Sequence, residues 1–516
     1  MSKKFYLTTP LYYVNASPHI GHAYTNILAD SLNRFLKINK IDAFFLTGTD
    51  EHGQKVFQEA CRRHLDPQDF VDRMVENFKS LWKALDVEYD FFIRTTYSLH
   101  KDTVRYVLQT LYDKGDIYPG KYEGFYCVHC ETFWDKKDVD PSNPVCLDCK
   151  RKVEFIEEKN YFFRLSKYQK WLESYIRDHL NFVRPKERLN EVLGFLDTHQ
   201  LEDLCISRPK KRLNWGIDFP FSRDYVVYVW FDALLNYISA AGFYAHKEDF
   251  DKVWPADFHF IGKDILRQHA IIWPIILKAL DIEPARCVFS HGWWLVKKDE
   301  GLWEKMSKSR KNVVNPFDLI EVFGKDALRY FMLREVPLGQ DGGFSVEALV
   351  GRINSDLAND LGNLVYRTIN MQFKYLGESF EINTPVSCDE YFSYFLDRKD
   401  TLFRMVYEEV DFYNYLQEVW ALINRANKYI EDKKPWQMYK DNRSQDVRNF
   451  LYQLLEVLRM ISILIYPVIP STSLKIREQL GLAEEEIYFE DAFAWSKLRK
   501  TVLRKYPPLF PRIEAP

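Results

Sequence analysis

No uninterrupted apolar run in this chain of 516 residues is long enough to span a bilayer, so no helical membrane span is expected. An excess of either charge is missing too. The 71 basic and 74 acidic residues leave a formal charge of −3, which excludes a protein that coats nucleic acid by bulk charge. Any RNA contact has to be made by local patches. Cysteine is sparse, at 8 residues, and those at 127, 130, 146 and 149 are crowded together. Few thiols, half of them clustered, point to a reducing compartment and a metal site rather than to disulfides. Internal repeats and low-complexity tracts are absent. Met1-Ser2-Lys3-Lys4 runs straight into an apolar stretch, which leaves no room for a signal or transit peptide. Aromatic side chains are plentiful, with 38 Phe, 32 Tyr and 13 Trp, and well-filled cores account for most of them. A length of 516 residues exceeds what one core supports and implies several domains.

The first 115 or so residues alternate strand and helix signals. Phe5-Tyr6-Leu7-Thr8-Thr9 reads as a strand, and Leu28, Leu32, Phe35 and Leu36 share one face of the helix that follows. Between them lies Ser17-Pro18-His19-Ile20-Gly21-His22, a strand-to-helix turn. Proline and glycine let the backbone approach a ligand there, and the helix start attracts phosphate. His19 and His22, three apart, share one side of that turn and could donate to phosphate oxygens. Taken alone, such a pair also fits a surface loop or half of a metal site. Ala43 to Thr47 reads as a buried strand, followed by the polar loop Gly48-Thr49-Asp50-Glu51-His52-Gly53. Asp50 at the carboxyl end of a parallel strand could hold a cationic amino group, and equally could cap a helix.

Between about 116 and 225 the pattern breaks. Cys127-x-x-Cys130 and Cys146-x-x-Cys149, separated by residues 131–145, have the spacing of two knuckles that place four thiolates tetrahedrally around one structural zinc ion. Such a closed site leaves no position for substrate, so the metal stiffens the insertion, and His129 is a bystander. Arg208-Pro-Lys210-Lys211-Arg212 either meets RNA or is simply solvated. The α/β pattern resumes with Tyr225 to Trp230, too apolar for an edge strand. Phe258 to Ile261 is a further strand, and the helix after it carries His269 and Trp273 at i and i+4. Cys287 to Trp294 is another strand with Gly292 near its end. Lys305-Met306-Ser307-Lys308-Ser309 follows as a basic loop, placed after the last strands of a nucleotide-binding sheet. From about 350 strand signals vanish. Val350 to Met371, Tyr407 to Ile430 and 447–461 have helical spacing, which predicts an antiparallel helix bundle. Pro467 and Pro470 end the long helix, and Lys497 to Lys505 form a basic segment.

The histidine turn and the lysine loop, in this order, resemble the signature pair of the class I aminoacyl-tRNA synthetases. Further motifs narrow the likeness to the methionine-specific family of bacterial or organellar type: Leu11-Tyr12-Tyr13-Val14-Asn15, Gly48 to Gly53, Tyr228 to Ala233, and Ile261 to Ile265. The resemblance implies a doubly wound, Rossmann-type α/β catalytic domain split by a connective peptide with a zinc knuckle, then an all-α anticodon-binding domain. The corresponding boundaries are 1–115, 116–225, 226–320, a link at 321–350, and 351–516. An insertion of about 110 residues looks short for the editing domain of isoleucine, valine or leucine relatives.

By the same resemblance, methionine is held by Leu11, Tyr13, Asp50, Trp230, Ala233, Tyr237, Asp264, Ile265, His269 and Trp273, with Arg208 near the substrate's polar end. Sulfur packs well against such rings. Gln268 and Ile272 stand where relatives often carry aromatics, and Pro10 where some have alanine. His19, Gly21, His22, Gly292, Lys305 and Lys308 bind ATP, and His19, His22, Lys305 and Lys308 do the catalytic work on its phosphates. Asn363, Arg367 and Trp436 read the anticodon of tRNA(Met), although Trp436 after Pro435 could instead cap a helix, and Asn363 sits among apolar neighbours. Mg2+ accompanies ATP. A cytoplasmic monomer without membrane contact is expected, since no further module follows the bundle. Two other readings compete: a cysteine-specific synthetase, whose metal sits on the catalytic face, and a non-catalytic RNA-binding protein that kept the fold.

Overall fold

The computed structural model describes residues 3–514 except 129–130, 135, 148, 298–300, 302, 307–311 and 383–385. It divides into two compact units: 1–18, 43–83 and 88–291 form the first, and 19–42, 84–87 and 292–516 the second.

The first unit is built on a seven-stranded sheet in which every pairing is parallel. Phe5–Thr8 lies between Ala43–Asp50 and Phe258–Gly262; Phe91–Arg94 extends the sheet one way, Val288–His291 and Val183–Arg184 the other. Tyr12–Tyr13 runs beside the last residues of Ala43–Asp50. The order reverses at Phe5–Thr8, and the crevice beyond the carboxyl ends of strands at such a switch point is where open α/β sheets bind ligands. Strand Ala43–Asp50 is longer than the sequence suggests, because Gly48 and Thr49 continue to pair with Ile93 and Arg94. A Cβ at Gly48 would collide with the Ile93 carbonyl, so glycine is what lets the strands approach. A core running from Tyr6, Leu46 and Ile93 through Val104 and Phe163 to Ile261 and Trp273 holds these layers together.

The insertion is β-rich. Ile117–Cys127 pairs antiparallel with Glu154–Phe163 along its length, and Thr132–Trp134 and Leu204–Cys205 complete a four-stranded sheet. The expected strand from Tyr225 to Trp230 is different in kind. Ser222–Val227 is the middle strand of a small antiparallel sheet with Ser207–Pro209 and Asp218–Phe219. The chain then turns at Tyr228 into the short helix Val229–Leu234, so Trp230 is helical.

The second unit contains helix Ile20–Ile38 and a long run of helices including Asn363–Leu376, Phe412–Lys433 and Ser444–Ile465. Two expectations need correction. Strands do occur after 350, since Ser379–Glu381 pairs antiparallel with Lys500–Val502. The segment Ile353–Gly362 is a π-helix rather than α, its backbone hydrogen bonds spanning one residue more. Charge is buried here as well. Asp30 is held by Arg34 at 2.9 Å and by Arg329 at 2.6 Å, and the Arg329 guanidinium also donates to the carbonyls of Pro467 and Val468. Among the described residues no helix is long and apolar enough to cross a membrane.

Candidate active site

Asp50 closes its strand at the carboxyl edge of the sheet and is 7% exposed. Its Oδ1 has no hydrogen-bond partner among the described residues. Burial first, then the charges of Asp232 and Glu131, push its carboxyl well above the usual carboxylate range. Such a group gains most from an incoming cation. The capping alternative is overturned, because helix Gln54–Arg62 begins at Gly53 without a side-chain cap. The cap comes from far away: Glu131 of the insertion accepts the Lys55 N–H at 2.9 Å and the Tyr13 hydroxyl at 2.9 Å, while its carbonyl accepts from Tyr228 at 2.6 Å. The Tyr13 hydroxyl therefore serves Glu131. Nothing in the sequence marks Glu131, which sits between the knuckles outside any periodic pattern.

Of the rings expected around a thioether, Tyr237, His269 and Trp273 are brought together. Tyr237 donates to His269 Nε2 at 2.7 Å, and His269 Nδ1 donates to the Ile265 carbonyl at 2.9 Å. Burial holds His269 down to about 4, so the ring is neutral and this tautomer is the one its partners require. Trp273 packs on Tyr237 at 5.7 Å and donates from Nε1 to His259 Nε2 at 3.2 Å. His259 in turn bonds Thr8 Oγ1 at 2.7 Å. Gln268–Ile272, which includes His269, forms a π-helical turn, a common device for re-aiming side chains at functional sites. Ala233 is buried and Trp230 half-buried on helix Val229–Leu234, Leu11 and Ile265 are half-buried, and Asp264 is exposed. Arg208 is neither solvated nor placed at the surface for RNA. It is 3% exposed, with its guanidinium carbon 3.9, 4.6 and 4.7 Å from the ring centres of Phe133, Tyr126 and Tyr228. Of its neighbours, Arg212 pairs with Glu154 and Glu158, and Lys210 with Asp218.

In the second unit, His19 is the N-cap of helix Ile20–Ile38. Its Nδ1 accepts from Gly21 N, His22 Nδ1 accepts from His19 N, each at 3.0 Å, and the rings stack at 3.8 Å. An acceptor at Nδ1 puts the ring hydrogen on Nε2 in both histidines, the form that donates. A Cβ on Gly21 would press on the His19 ring at 2.9 Å. Lys305 ends strand Trp303–Lys305 with its ammonium 3.7 Å from the Trp293 ring centre. Lys308 lies outside the described residues. Gly292 is hemmed in by the Gln340 backbone, which a Cβ would strike.

Cys127, Cys146 and Cys149 have their sulfurs all within 4.8 Å of one another, with Cys127 and Cys149 at 3.6 Å. A tetrahedral zinc with bonds of about 2.3 Å needs sulfur pairs about 3.8 Å apart, so the donor set fits. Cys130 and His129 lie outside the described residues. For the proposed anticodon residues, the helix-cap alternative fails. Lys434 is the cap of helix Pro435–Lys440, and Trp436 is 39% exposed. Asn363 opens helix Asn363–Leu376 and is exposed rather than packed among its apolar neighbours. Arg367 pairs with Glu431 at 2.7 Å, and Tyr375 stacks on Tyr439 at 4.5 Å, so these helices lie side by side.

The pattern "tRNA synthetases class I (M)" matches residues 5–148 and 135–369, and the "anticodon binding domain of methionyl tRNA ligase" matches 389–514. A methionine–tRNA ligase of Caldanaerobacter subterraneus is 45% identical over 100% of this chain and 80% of its own. The Thermotoga maritima enzyme of the same name is 42% identical, covering 99% and 81%. Among solved structures, Mycobacterium tuberculosis methionyl-tRNA synthetase bound by methionyl-adenylate superposes with a TM-score of 0.92 at 38% identity, over 99% of this chain and 100% of that one. With pattern, sequence and architecture agreeing over its whole length, the chain belongs to the methionyl-tRNA synthetase family.

Proposed function

We infer that this protein activates methionine with ATP to methionyl-adenylate and transfers the methionyl group to tRNA(Met). The observation that carries the reading is membership of the family across this chain combined with an unpartnered, buried Asp50 oxygen. The methionine carboxylate attacks the α-phosphate, pyrophosphate leaves, and a hydroxyl of the terminal ribose of tRNA then attacks the acyl carbon and takes the methionyl group, releasing AMP. No protein nucleophile is needed, and catalysis rests on positioning and charge stabilisation.

Asp50 receives the ammonium. Leu11, Trp230, Ala233, Tyr237, Ile265, His269 and Trp273 enclose the side chain, and Tyr13 borders it while bonded to Glu131. Because His269 is neutral, the pocket meets sulfur without charge. Arg208 and Asp264 belong to the polar end. His19 and His22 donate from Nε2 to phosphate oxygens, Gly21 and Gly292 keep side chains off the nucleotide, and Lys305 and Lys308 meet the charge that grows on pyrophosphate. Mg2+ bound to the triphosphate would neutralise part of its charge. Cys127, Cys130, Cys146 and Cys149 would hold one zinc ion, which supplies a structural cross-link. Asn363, Arg367 and Trp436 read the anticodon, the indole stacking on a base. We assign the segments 1–115 and 226–320 to catalysis, 116–225 to the connective peptide, 321–350 to the link and 351–516 to anticodon binding, in a cytoplasmic monomer. ATP–pyrophosphate exchange with each amino acid in turn tests the reading. Exchange that depends on methionine supports it, whereas none with any amino acid would favour a non-catalytic RNA-binding protein.

A further inference from the structure

Asp232 is fully buried on helix Val229–Leu234, between the two pocket residues Trp230 and Ala233. At 3.6 residues per turn those two share a face, and Asp232 is turned away from it. Its carboxylate joins two rings from separate elements. Oδ2 lies 2.6 Å from His52 Nδ1 in the loop after strand Ala43–Asp50, and Oδ1 lies 2.7 Å from His100 Nε2 on helix Ser98–Asp113. The other nitrogen of His100 is 3.0 Å from Ser239 Oγ on helix Asn236–Ala241, which also carries Tyr237. Trp215 packs edge-on against His52 and donates to the Glu51 carbonyl at 2.6 Å, closing the loop from the other side.

We propose that Asp232 is a positioning residue of the methionine site: it locks the Asp50 loop and the two helices bearing Trp230, Ala233 and Tyr237 into one arrangement through His52 and His100. The inference rests on the reading of Asp50 as the ammonium site. A fully buried carboxylate with both oxygens engaged is costly to leave half-paired, so breaking either bond releases the elements it joins.

The same charge acts on Asp50. The groups around Asp50 are Asp232, Glu131, Glu51 and Tyr13. Glu51 is engaged twice by Arg94, at 2.6 and 3.0 Å, and Glu131 has Lys55 and Arg208 near it. Asp232 is itself buried, which opposes its charge, but His52 and His100 outweigh burial and hold it down at about 2. It therefore stays negative and keeps Asp50 high. Below its raised value Asp50 is neutral and cannot pair with an ammonium, so methionine affinity falls as pH drops through that value. Removing the Asp232 charge lowers the value and moves the loss to lower pH.

The test is ATP–pyrophosphate exchange as a function of pH with the full chain and D232N. The expected result is a methionine KM raised about tenfold with the ATP KM unchanged, because loss of one hydrogen bond to a charged group costs about this much, together with an acid limb displaced to lower pH. A native methionine KM and an unmoved limb would overturn the proposal. If D232N loses both substrates and melts early, H100F decides, since His100 is outside the pocket and phenylalanine fills the ring's space without a donor for Asp232. A methionine KM raised several-fold with an unchanged ATP KM supports the proposal, and a native KM overturns it. Failure of the functional reading is distinct, because the unaltered chain would then show no methionine-dependent exchange.

Discussion

Gly53 shows how one residue can carry a constraint set by partners distant in sequence. Its backbone sits at φ 103° and ψ 169°, a region essentially closed to residues with a Cβ. A Cβ there would also fall 2.7 Å from Glu131 Oε2 and onto the Tyr13 hydroxyl. We therefore expect Gly53→Ala to lower stability by about 1–3 kcal/mol, the cost of one strained backbone position. Displacing Tyr13 and Glu131 should also raise the methionine KM more than the ATP KM. A thermal melt and exchange kinetics in each substrate check both halves, and an equal rise in the two KM values would separate Gly53 from the methionine site. At this scale the sequence was partly legible. The resemblance groups Asp50, Tyr237, His269 and Trp273, and the structure links the last three directly. Glu131 was hidden because its partners, Tyr13, Lys55 and Tyr228, lie as much as 118 residues away. For Arg208 the local basic run reads as solvated or RNA-facing, while the resemblance puts it near the substrate, and only the fold brings Phe133, Tyr126 and Tyr228 around it.

Elements were legible where periodicity has one meaning. The helices Phe412–Lys433 and Ser444–Ile465 and the strands Phe5–Thr8 and Phe258–Gly262 follow directly from apolar spacing. Tyr225 to Trp230 misleads because β-branched and aromatic residues suit a buried strand and a buried helix start alike, and tertiary pairing with Arg208 and Asp218 decides where the strand stops. The π-helix Ile353–Gly362 has no local signal, since its apolar residues also fit an α pattern. It leads into helix Asn363–Leu376, on which Asn363, Tyr366 and Arg367 lie at i, i+3 and i+4 and so share a face. The adjoining helix Pro435–Lys440 exposes Trp436 and Tyr439. An indole left 39% exposed suits stacking on an unpaired base, worth about 1–3 kcal/mol. Trp436→Ala should therefore weaken aminoacylation of tRNA by about tenfold or more, while methionine-dependent exchange stays near native. Equal losses in both assays would assign Trp436 to folding instead.

For the molecule as a whole, charge balance limits how RNA can be held. With a formal charge of −3 there is no general attraction for a polyanion, so tRNA must be bound by patches whose lysines and arginines are otherwise paired. The basic C-terminal segment illustrates this: Lys497, Lys500 and Arg504 each sit 3.2 Å from an acidic oxygen, of Asp491, Glu381 and Glu478. Exposed pairs of this kind are worth about 0–1 kcal/mol, so phosphates can compete for them. Each phosphate neutralised releases counterions, and two or three such contacts make affinity fall about tenfold or more over a fourfold rise in salt. Methionine carries no net charge and meets a buried pocket, where screening is weak. Raising salt about fourfold should therefore increase the tRNA KM in aminoacylation about tenfold while leaving the methionine KM in exchange within about twofold. Parallel dependence of the two constants would mean that salt acts on the fold, and that tRNA is not held by local phosphate contacts.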